Sequence, residues 1–139
     1  MQRFSVFVTA LLVAAFGAGT GRTAAADDKL VAAADDKLVA AKKQFETSCG
    51  TCHTVDPQAA PRQGPNLAGV YGRPAGTLPG YKYSAALANA GFPWDEASLD
   101  KWITNAQAFR PGSVMPYRQA NPDKRQLVIA YLKSLAPAK

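Results

Sequence analysis

The pentapeptide Cys49-Gly50-Thr51-Cys52-His53 decides how this chain can fold. Two thiols three residues apart at a helix end can reach two vinyl groups on one edge of a porphyrin. The histidine that follows then lies beneath the ring plane, where a ring nitrogen can bind iron. The C-x-x-C-H spacing is the attachment pattern of c-type haem. The sequence therefore predicts one covalently attached haem c, held by Cys49 and Cys52, with His53 as an axial ligand of the iron.

Other uses of two cysteines fit this chain less well. A thioredoxin-type redox pair needs a βαβ framework, and no alternating strand pattern of useful length is present. A structural zinc site needs four ligands, whereas the chain offers two cysteines and one histidine. A simple disulfide would leave both the histidine and the glycine-rich stretch after it unexplained.

The second axial ligand can be sought by elimination. His53 is the only histidine, so ligation by two histidines of one chain is impossible. Beyond a predicted leader, Met115 is the only methionine, and it lies in a loop with prolines on both sides. A thioether is a soft, neutral ligand that favours Fe(II) and raises the reduction potential. We expect Met115 to bind the iron; an open iron site, a lysine ligand and Met115 as a packing residue are the alternatives.

Residues 1–26 are predicted to be a secretory signal peptide. A short basic start with Arg3 precedes a mostly apolar, uncharged stretch from Phe4 to Phe16, and small residues follow up to Ala26. This is the order of a signal peptide with its cleavage site. The alternative is a membrane anchor, but thirteen helical residues span roughly 20 Å of a roughly 30 Å hydrocarbon core. Cleavage after Ala26 would make the mature protein exported and periplasmic.

The protein is basic. The full chain carries a net charge of +6, and from residue 37 onward thirteen basic residues face six acidic ones. Such a surface favours redox partner proteins with acidic docking surfaces, through long-range steering. Nucleic acid is not an expected partner, because no basic cluster or nucleic-acid motif is present. We expect a monomer that meets membranes only through partner complexes or an uncleaved signal peptide.

A perfect tandem repeat, AADDKLVA, occupies residues 25–40. In a helix, side chains eight residues apart differ by about 80° around the axis, so Leu30 and Leu38 cannot share one stripe. In the second copy Leu38 begins an i, i+3, i+7 pattern with Ala41 and Phe45. The first helix is therefore predicted over residues 35–48, and residues 27–36 are predicted to be a loosely ordered extension.

The remaining chain predicts an all-α protein with long loops. Glycine and proline punctuate residues 54–80, which predicts a loop. A short helix is expected over residues 84–90 with Ser84 as its cap, and another from an Asp95 or Ser98 cap to about Asn105. Asn121 precedes a proline that starts the last helix. The expected buried face of that helix is Leu127, Val128, Tyr131, Leu132 and Leu135.

Two further motifs carry a family resemblance. With the haem motif and Met115, Gly64-Pro65-Asn66-Leu67 and the stretch at residues 69–73 (GVYGR) resemble class I cytochrome c, in its mitochondrial and bacterial c2-like branch. The resemblance covers about residues 38–135. It implies three to five helices wrapped around one haem, a cytochrome c domain over residues 37–139, and electron transfer rather than enzymatic catalysis.

The resemblance also implies roles for individual residues. The Pro65 carbonyl would accept a hydrogen bond from His53, fixing the ring and tuning its basicity. Phe45 and Tyr131 would meet where the first and last helices cross. The aromatic and basic residues expected around the haem are Arg73, Tyr83 and Trp94 at a buried propionate, Trp102 near the methionine ligand, and Tyr117 beside the haem edge.

The chain departs from the family pattern at several positions. Leu87 stands where the mitochondrial type has an asparagine, which puts one internal hydrogen-bond network in doubt. Trp102 replaces a tyrosine and so removes a hydroxyl near the thioether. Lys43 and Arg62 are basic, but uncharged residues occupy positions that often carry lysine around the haem edge: Ser48, Ala60, Gln107, Ala108 and Val114.

Together these observations predict a periplasmic electron carrier with a His/Met-ligated haem. The alternative of a different class is a dedicated cytochrome subunit of an oxidoreductase complex, held in place rather than diffusing. An enzyme or gas-binding protein with an open iron site is the least supported, because the chain has no second histidine and no evident acid–base pair.

Overall fold

The computed structural model describes residues 24–88 and 90–137, with the backbone alone for residues 24–26. The predicted signal peptide lies outside the described side chains. In the described residues the chain forms five helices and no strand, apart from one isolated bridge between Pro74 and Pro93. This confirms the all-α prediction. The helices are α1 (Ala24–Ser48), α2 (Ala85–Ala88), α3 (Glu96–Thr104), α4 (Ala106–Phe109) and α5 (Pro122–Ser134).

Helix α1 begins at Ala24, well before the predicted start at residue 35, so that prediction was wrong. Neither proline nor glycine interrupts residues 24–48, and alanine, leucine and lysine favour helix without any tertiary contact. Both copies of the repeat are therefore helical, but residues 27–40 are exposed. Burial starts at Ala41 and continues at Phe45, whereas Leu38 is 43% exposed and does not belong to the buried stripe.

Helix α5 packs across α1. The Phe45 and Tyr131 rings meet at this crossing with centroids 5.2 Å apart, as expected. The Asn121 side chain accepts a hydrogen bond from the backbone N–H of Lys124 at 3.1 Å, which caps the helix at the predicted place. The buried residues of α5 are Val128, Ile129, Tyr131 and Leu132, while Leu127 and Leu135, which were also predicted to be buried, are only partly buried.

Helix α3 follows the predicted cap. The Asp95 carboxylate accepts from the backbone N–H of Ser98 at 2.7 Å, and the Ser98 hydroxyl accepts from that of Asp95 at 2.9 Å. The helix ends at Thr104, and the side chain of Asn105 caps a separate short helix α4 that the sequence did not predict. Arg125 of α5 holds α3 through an ion pair with Asp100 at 2.8 Å.

Helix α2 is shorter than predicted, and its predicted cap is not formed. The Ser84 hydroxyl is buried and has no hydrogen-bond partner among the residues that the structure describes. The Ser84 carbonyl accepts hydrogen bonds from the backbone N–H groups of Leu87 and Ala88. The loop before α2 approaches this helix closely at Gly76. A Cβ added at Gly76 would lie 2.1 Å from the Leu87 carbonyl oxygen, and the φ of +77° also favours glycine. No helix among the described residues has the length and apolar character needed to cross a bilayer.

Candidate functional site

A cavity of about 500 Å³ lies between the loop after α1, helices α3 and α5, and the loop that contains Met115. Its walls come from stretches of chain that are far apart in sequence. All nine residues proposed from the sequence as site residues line it: Cys49, Cys52, His53, Pro65, Arg73, Tyr83, Trp94, Trp102 and Met115. Tyr117 lines it as well. The fold therefore brings the whole predicted set together around one space.

Most of the remaining wall is aliphatic. The buried or partly buried aliphatic residues that the sequence did not single out for this site are Leu67, Val70, Leu87, Leu99, Ile103, Val128 and Leu132. For those in α3 and α5, helical spacing predicts burial but does not tell a cavity wall from an ordinary core. A mostly apolar space with two thiols and an imidazole on one wall fits a large planar cofactor such as haem.

The two cysteines and the histidine sit on a turn that continues α1. The backbone N–H of Cys49 donates to the Phe45 carbonyl at 2.7 Å, and that of His53 donates to the Cys49 carbonyl at 2.9 Å. Burial, and then the neighbouring Cys52, raise the pKa of the Cys49 thiol to about 12. Thioredoxin-type cysteines have a lowered pKa, so this environment disfavours the redox-pair interpretation.

The tautomer of His53 is set by its hydrogen bond. Its Nδ1 lies 2.8 Å from the carbonyl oxygen of Pro65. Because a carbonyl can only accept, Nδ1 carries the proton and Nε2 keeps its lone pair. Burial lowers the pKa of His53, although the bond to Pro65 acts in the opposite direction. The imidazole is therefore neutral near pH 7, which is the form that binds a metal.

Gly64 packs its backbone directly against the His53 ring. A Cβ added at this position would lie 2.2 Å from Cε1 of His53, and the Gly64 N–H donates to the Cys52 carbonyl at 2.7 Å. This positioning role was not recognised from the sequence. The Gly-Pro pair that follows the haem motif is the feature that could have indicated it, since glycine permits such a close approach.

The sulfur of Met115 accepts a hydrogen bond that the sequence did not predict. The Nε1–H of Trp102 donates to its Sδ at a distance of 3.1 Å. Trp102 is buried in α3, and Met115 is partly buried in a loop without regular structure. Replacement of tyrosine by Trp102 does remove a hydroxyl, but it leaves an N–H donor beside the thioether.

Another part of the wall carries polar groups. The Arg73 guanidinium donates to the carbonyls of Ala68 and Asn66 at 3.2 and 3.4 Å. Burial raises the pKa of Tyr83, and Arg73 opposes this shift, which places the two side chains within electrostatic reach. Ser84 also lines the cavity, and its hydroxyl is buried with no hydrogen-bond partner in the described part of the chain. A buried, unsatisfied hydroxyl on the wall fits a polar group on the cofactor.

Known proteins resemble this chain over the region that contains the cavity residues. The family model described as cytochrome c matches residues 38–136. Cytochrome c of Sesamum indicum is 45% identical over 93 residues, which are 66% of this chain and 84% of the relative. Cytochrome c of Euglena viridis is 42% identical over 95 residues, 68% of this chain and 92% of the relative.

A bacterial relative matches to a similar degree. Cytochrome c2 of Rhodomicrobium vannielii is 44% identical over 91 residues, which are 65% of this chain and 73% of that protein. The family match, the C-x-x-C-H motif and the apolar cavity beside it agree on the cofactor and on the fold. The chain belongs to the cytochrome c family: it binds covalently attached haem c in the all-α class I fold and has the role of an electron carrier.

Proposed function

We propose that the protein is an exported one-electron carrier whose haem is attached through Cys49 and Cys52 and whose iron is bound by His53 and Met115. One observation carries the proposal. The chain has a single histidine and, beyond residues 1–26, a single methionine, and both side chains line the same cavity as the two cysteines.

The chain's own residues account for the properties that a carrier needs. Bound haem supplies an iron that alternates between Fe(II) and Fe(III). His53 offers Nε2 to it, and its Nδ1–H bond to the Pro65 carbonyl makes the imidazole a stronger donor. Met115 offers a soft sulfur that favours the reduced iron. If His53 and Met115 both hold the iron, the bound haem would serve electron transfer and not the binding of a substrate.

The polar wall is proposed to hold a haem propionate. Arg73 supplies positive charge, while Tyr83 and Trp94 supply hydrogen-bond donors. Ser84 joins this set because its buried hydroxyl lacks a partner among the described residues. Burying a carboxylate needs such donors, since an unpaired charge in an apolar cavity is strongly unfavourable.

The proposed location is the periplasm, and it rests on the predicted signal peptide. The relatives named above come from a plant, from Euglena and from a bacterium, so they do not fix the compartment. Fractionation of the native host and N-terminal sequencing of the mature protein test this part. A periplasmic protein that begins at Asp27 is expected, and a mature chain that still begins at residue 1 would contradict the proposed cleavage.

A dedicated cytochrome subunit is the second candidate, favoured by one surface feature. Val114 lines the cavity and is 77% exposed, at a position where the family often has lysine. Ala60, Gln107 and Ala108 are also exposed and uncharged. A partner that docks there would depend less on charge. Stable co-purification with an oxidoreductase, insensitive to salt, would favour this candidate over a diffusing carrier.

A redox titration of the purified holoprotein, followed by its visible spectrum, tests the proposed site. We expect a one-electron transition, a sulfur-to-iron charge-transfer band in the oxidised protein, and no binding of carbon monoxide to the reduced protein at neutral pH. Carbon monoxide binding together with absence of the sulfur band would show an open iron site and contradict the proposal.

A further inference from the structure

We propose that the exposed part of α1, residues 27–40, is a docking arm for a helix of another protein whose apolar face is bordered by basic side chains. The arm contains most of the duplicated octapeptide, and none of its residues lines the haem cavity. The inference does not depend on the iron ligands. It gives the carrier a second interaction surface, separate from the one around the haem cavity.

The arm continues the apolar seam through which α1 packs into the domain. Along this seam Val31, Ala34, Leu38, Ala41 and Phe45 follow one another at spacings of three, four, three and four residues. Such spacing places them on one face of a helix, like the a and d positions of a coiled coil. Ala41 and Phe45 are 0% and 2% exposed, whereas Val31 and Leu38 are 61% and 43% exposed. One half of the seam is therefore buried, and the other half is open.

No described element covers the open half of the seam. Helix α5 meets α1 at Phe45, and residues 27–40 are all exposed. Because no glycine or proline interrupts the helix, the arm cannot fold back onto its own domain. Four of the five large apolar side chains that are exposed in the described residues lie on the arm. Clustered exposed apolar groups of this kind are typical of interaction sites.

The charges that border the open seam indicate the chemistry of the partner. In helical projection Asp28 and Asp35 lie along one border of the seam, and Lys37 lies along the other. Over the whole arm, four aspartates outnumber two lysines. Charges at these border positions determine which helix can pair with a coiled-coil seam. The complementary surface is therefore an apolar helix face with basic side chains opposite Asp28 and Asp35.

A second copy of the chain and a membrane fit the arm less well. Two antiparallel arms would bring one acidic border against the other. Two parallel arms would bring both domains to the same end, where α5 already packs on the seam. Helices that lie on membranes carry lysine and arginine on their polar face, whereas the polar face of the arm is mainly acidic. The occupant is therefore a different protein.

The association should be weak and reversible. The open seam has only three positions, Val31, Ala34 and Leu38, and so small an interface belongs to the size class of transient electron-transfer encounters. A weak contact at the arm keeps the haem domain close to the partner and raises its effective concentration there. The arm would thus assist electron transfer without taking part in it.

Two synthetic peptides of about four heptads serve as probes for the mature holoprotein. Both have leucine at the a and d positions, and the border positions are lysine in one peptide and glutamate in the other. The double variant Val31→Ser, Leu38→Ser removes the open seam, and Val39→Ser is its control at an exposed position outside the seam. Asp35→Asn and Asp36→Asn are matched charge variants, because Asp36 lies on the opposite face of the helix.

Fluorescence anisotropy of the labelled peptides measures the affinities. The lysine peptide should bind at least about tenfold more tightly than the glutamate peptide. The double seam variant should lose more than about tenfold in affinity, and Asp35→Asn about two- to fivefold, while Val39→Ser and Asp36→Asn should change little. Equal binding of both peptides, binding of neither, or equal losses in the two aspartate variants would overturn the inference. The haem spectrum of every variant should stay unchanged, so failure here leaves the proposed carrier function intact.

Photo-crosslinking in the native host identifies the occupant itself. A photoreactive p-benzoylphenylalanine replaces Val31 in one variant and Asp36 in the other, and mass spectrometry maps each adduct. We expect an adduct from position 31 alone, to an apolar segment of another protein bordered by lysine or arginine. An adduct to a second copy of the chain, to lipid or to a segment without basic residues would overturn the proposed partner. Absence of an adduct, or equal adducts from both positions, would overturn it as well.

Discussion

The two sides of the cavity are built by different means. On the His53 side the backbone does the positioning: the Pro65 carbonyl accepts from the ring, and Gly64 lies against its face. Residues 49–67 are also close together in sequence. On the Met115 side an irregular loop is held by side-chain bonds: Trp102 of α3 donates to Met115, and Arg110 at the start of the loop donates to carbonyls of the α2 region.

This difference separates contacts whose geometry is fixed by the backbone from side-chain contacts that substitutions can weaken. A backbone contact has little freedom to adjust, so a change on the His53 side should disrupt attachment and folding together. A side-chain contact can be weakened by degrees, so changes on the Met115 side should shift the potential or ligand strength while the haem stays attached. The predictions below test this contrast.

Gly64→Ala should have the largest effect on the attached haem. The added Cβ would lie 2.2 Å from Cε1 and 2.6 Å from Nδ1 of His53, and the bond to Pro65 prevents the ring from moving away. Overpacking of this kind costs about 1–3 kcal/mol, and occasionally more. We expect a low yield of holoprotein and an altered haem spectrum, measured by absorbance against total protein.

Gly80→Ala is the matched control for that prediction. Gly80 has a φ of +74°, and nothing lies within 4 Å of an added Cβ. Alanine there suffers only the backbone penalty, on the order of 1–2 kcal/mol. The thermal midpoint should fall, but the haem spectrum should not change. Identical spectra for the two variants would show that the His53 side is not fixed by Gly64.

Met115→Ala should change the iron but keep the haem. Attachment depends on Cys49 and Cys52, so covalently bound haem should be retained in full. Without the thioether, Fe(II) loses its soft ligand, and the equilibrium constant for reduction should fall more than tenfold, or more than ~59 mV. The reduced variant should also bind carbon monoxide, which a potentiometric titration and a gas-binding spectrum would show. An unchanged potential would place Met115 in a packing role.

Arg110→Leu should loosen the Met115 side by a smaller amount. The guanidinium donates to the carbonyls of Ala86 at 3.2 Å and Ala90 at 3.3 Å, tying the start of the Met115 loop to the α2 region. Losing these partly buried bonds should cost about 1–3 kcal/mol. The sulfur-to-iron band should disappear at a lower temperature, while Arg118→Leu, at an exposed position of the same loop, should leave it unchanged. Equal melting of the band in both variants would contradict the role of Arg110.

The sequence predicted what depends on local chemistry and missed what depends on packing. The caps at Asp95 and Asn121 were predicted because spacing and residue type determine them, whereas the crossing of Phe45 with Tyr131 was implied by the family resemblance. The start of α1 was placed too late because burial was taken as a condition for helix, whereas the repeat has enough helix propensity by itself. The N–H of Trp102 beside Met115 could not be predicted, since it depends on the relative placement of α3 and a loop.

The exposed part of α1 provides the smallest expected effect and a baseline for the two sides of the cavity. Leu30 and Leu38 occupy equivalent positions of the repeat and are 63% and 43% exposed, and neither lines the cavity. The double variant Leu30→Ser, Leu38→Ser should therefore change the free energy of unfolding by less than about 1 kcal/mol. Its reduction potential should equal that of the unsubstituted protein.

By contrast Phe45→Ala, in the buried part of the same helix, should cost about 3–5 kcal/mol. Denaturant unfolding of the holoproteins compares them, and a loss in the double variant close to that of Phe45→Ala would show that the repeat packs against the domain in solution.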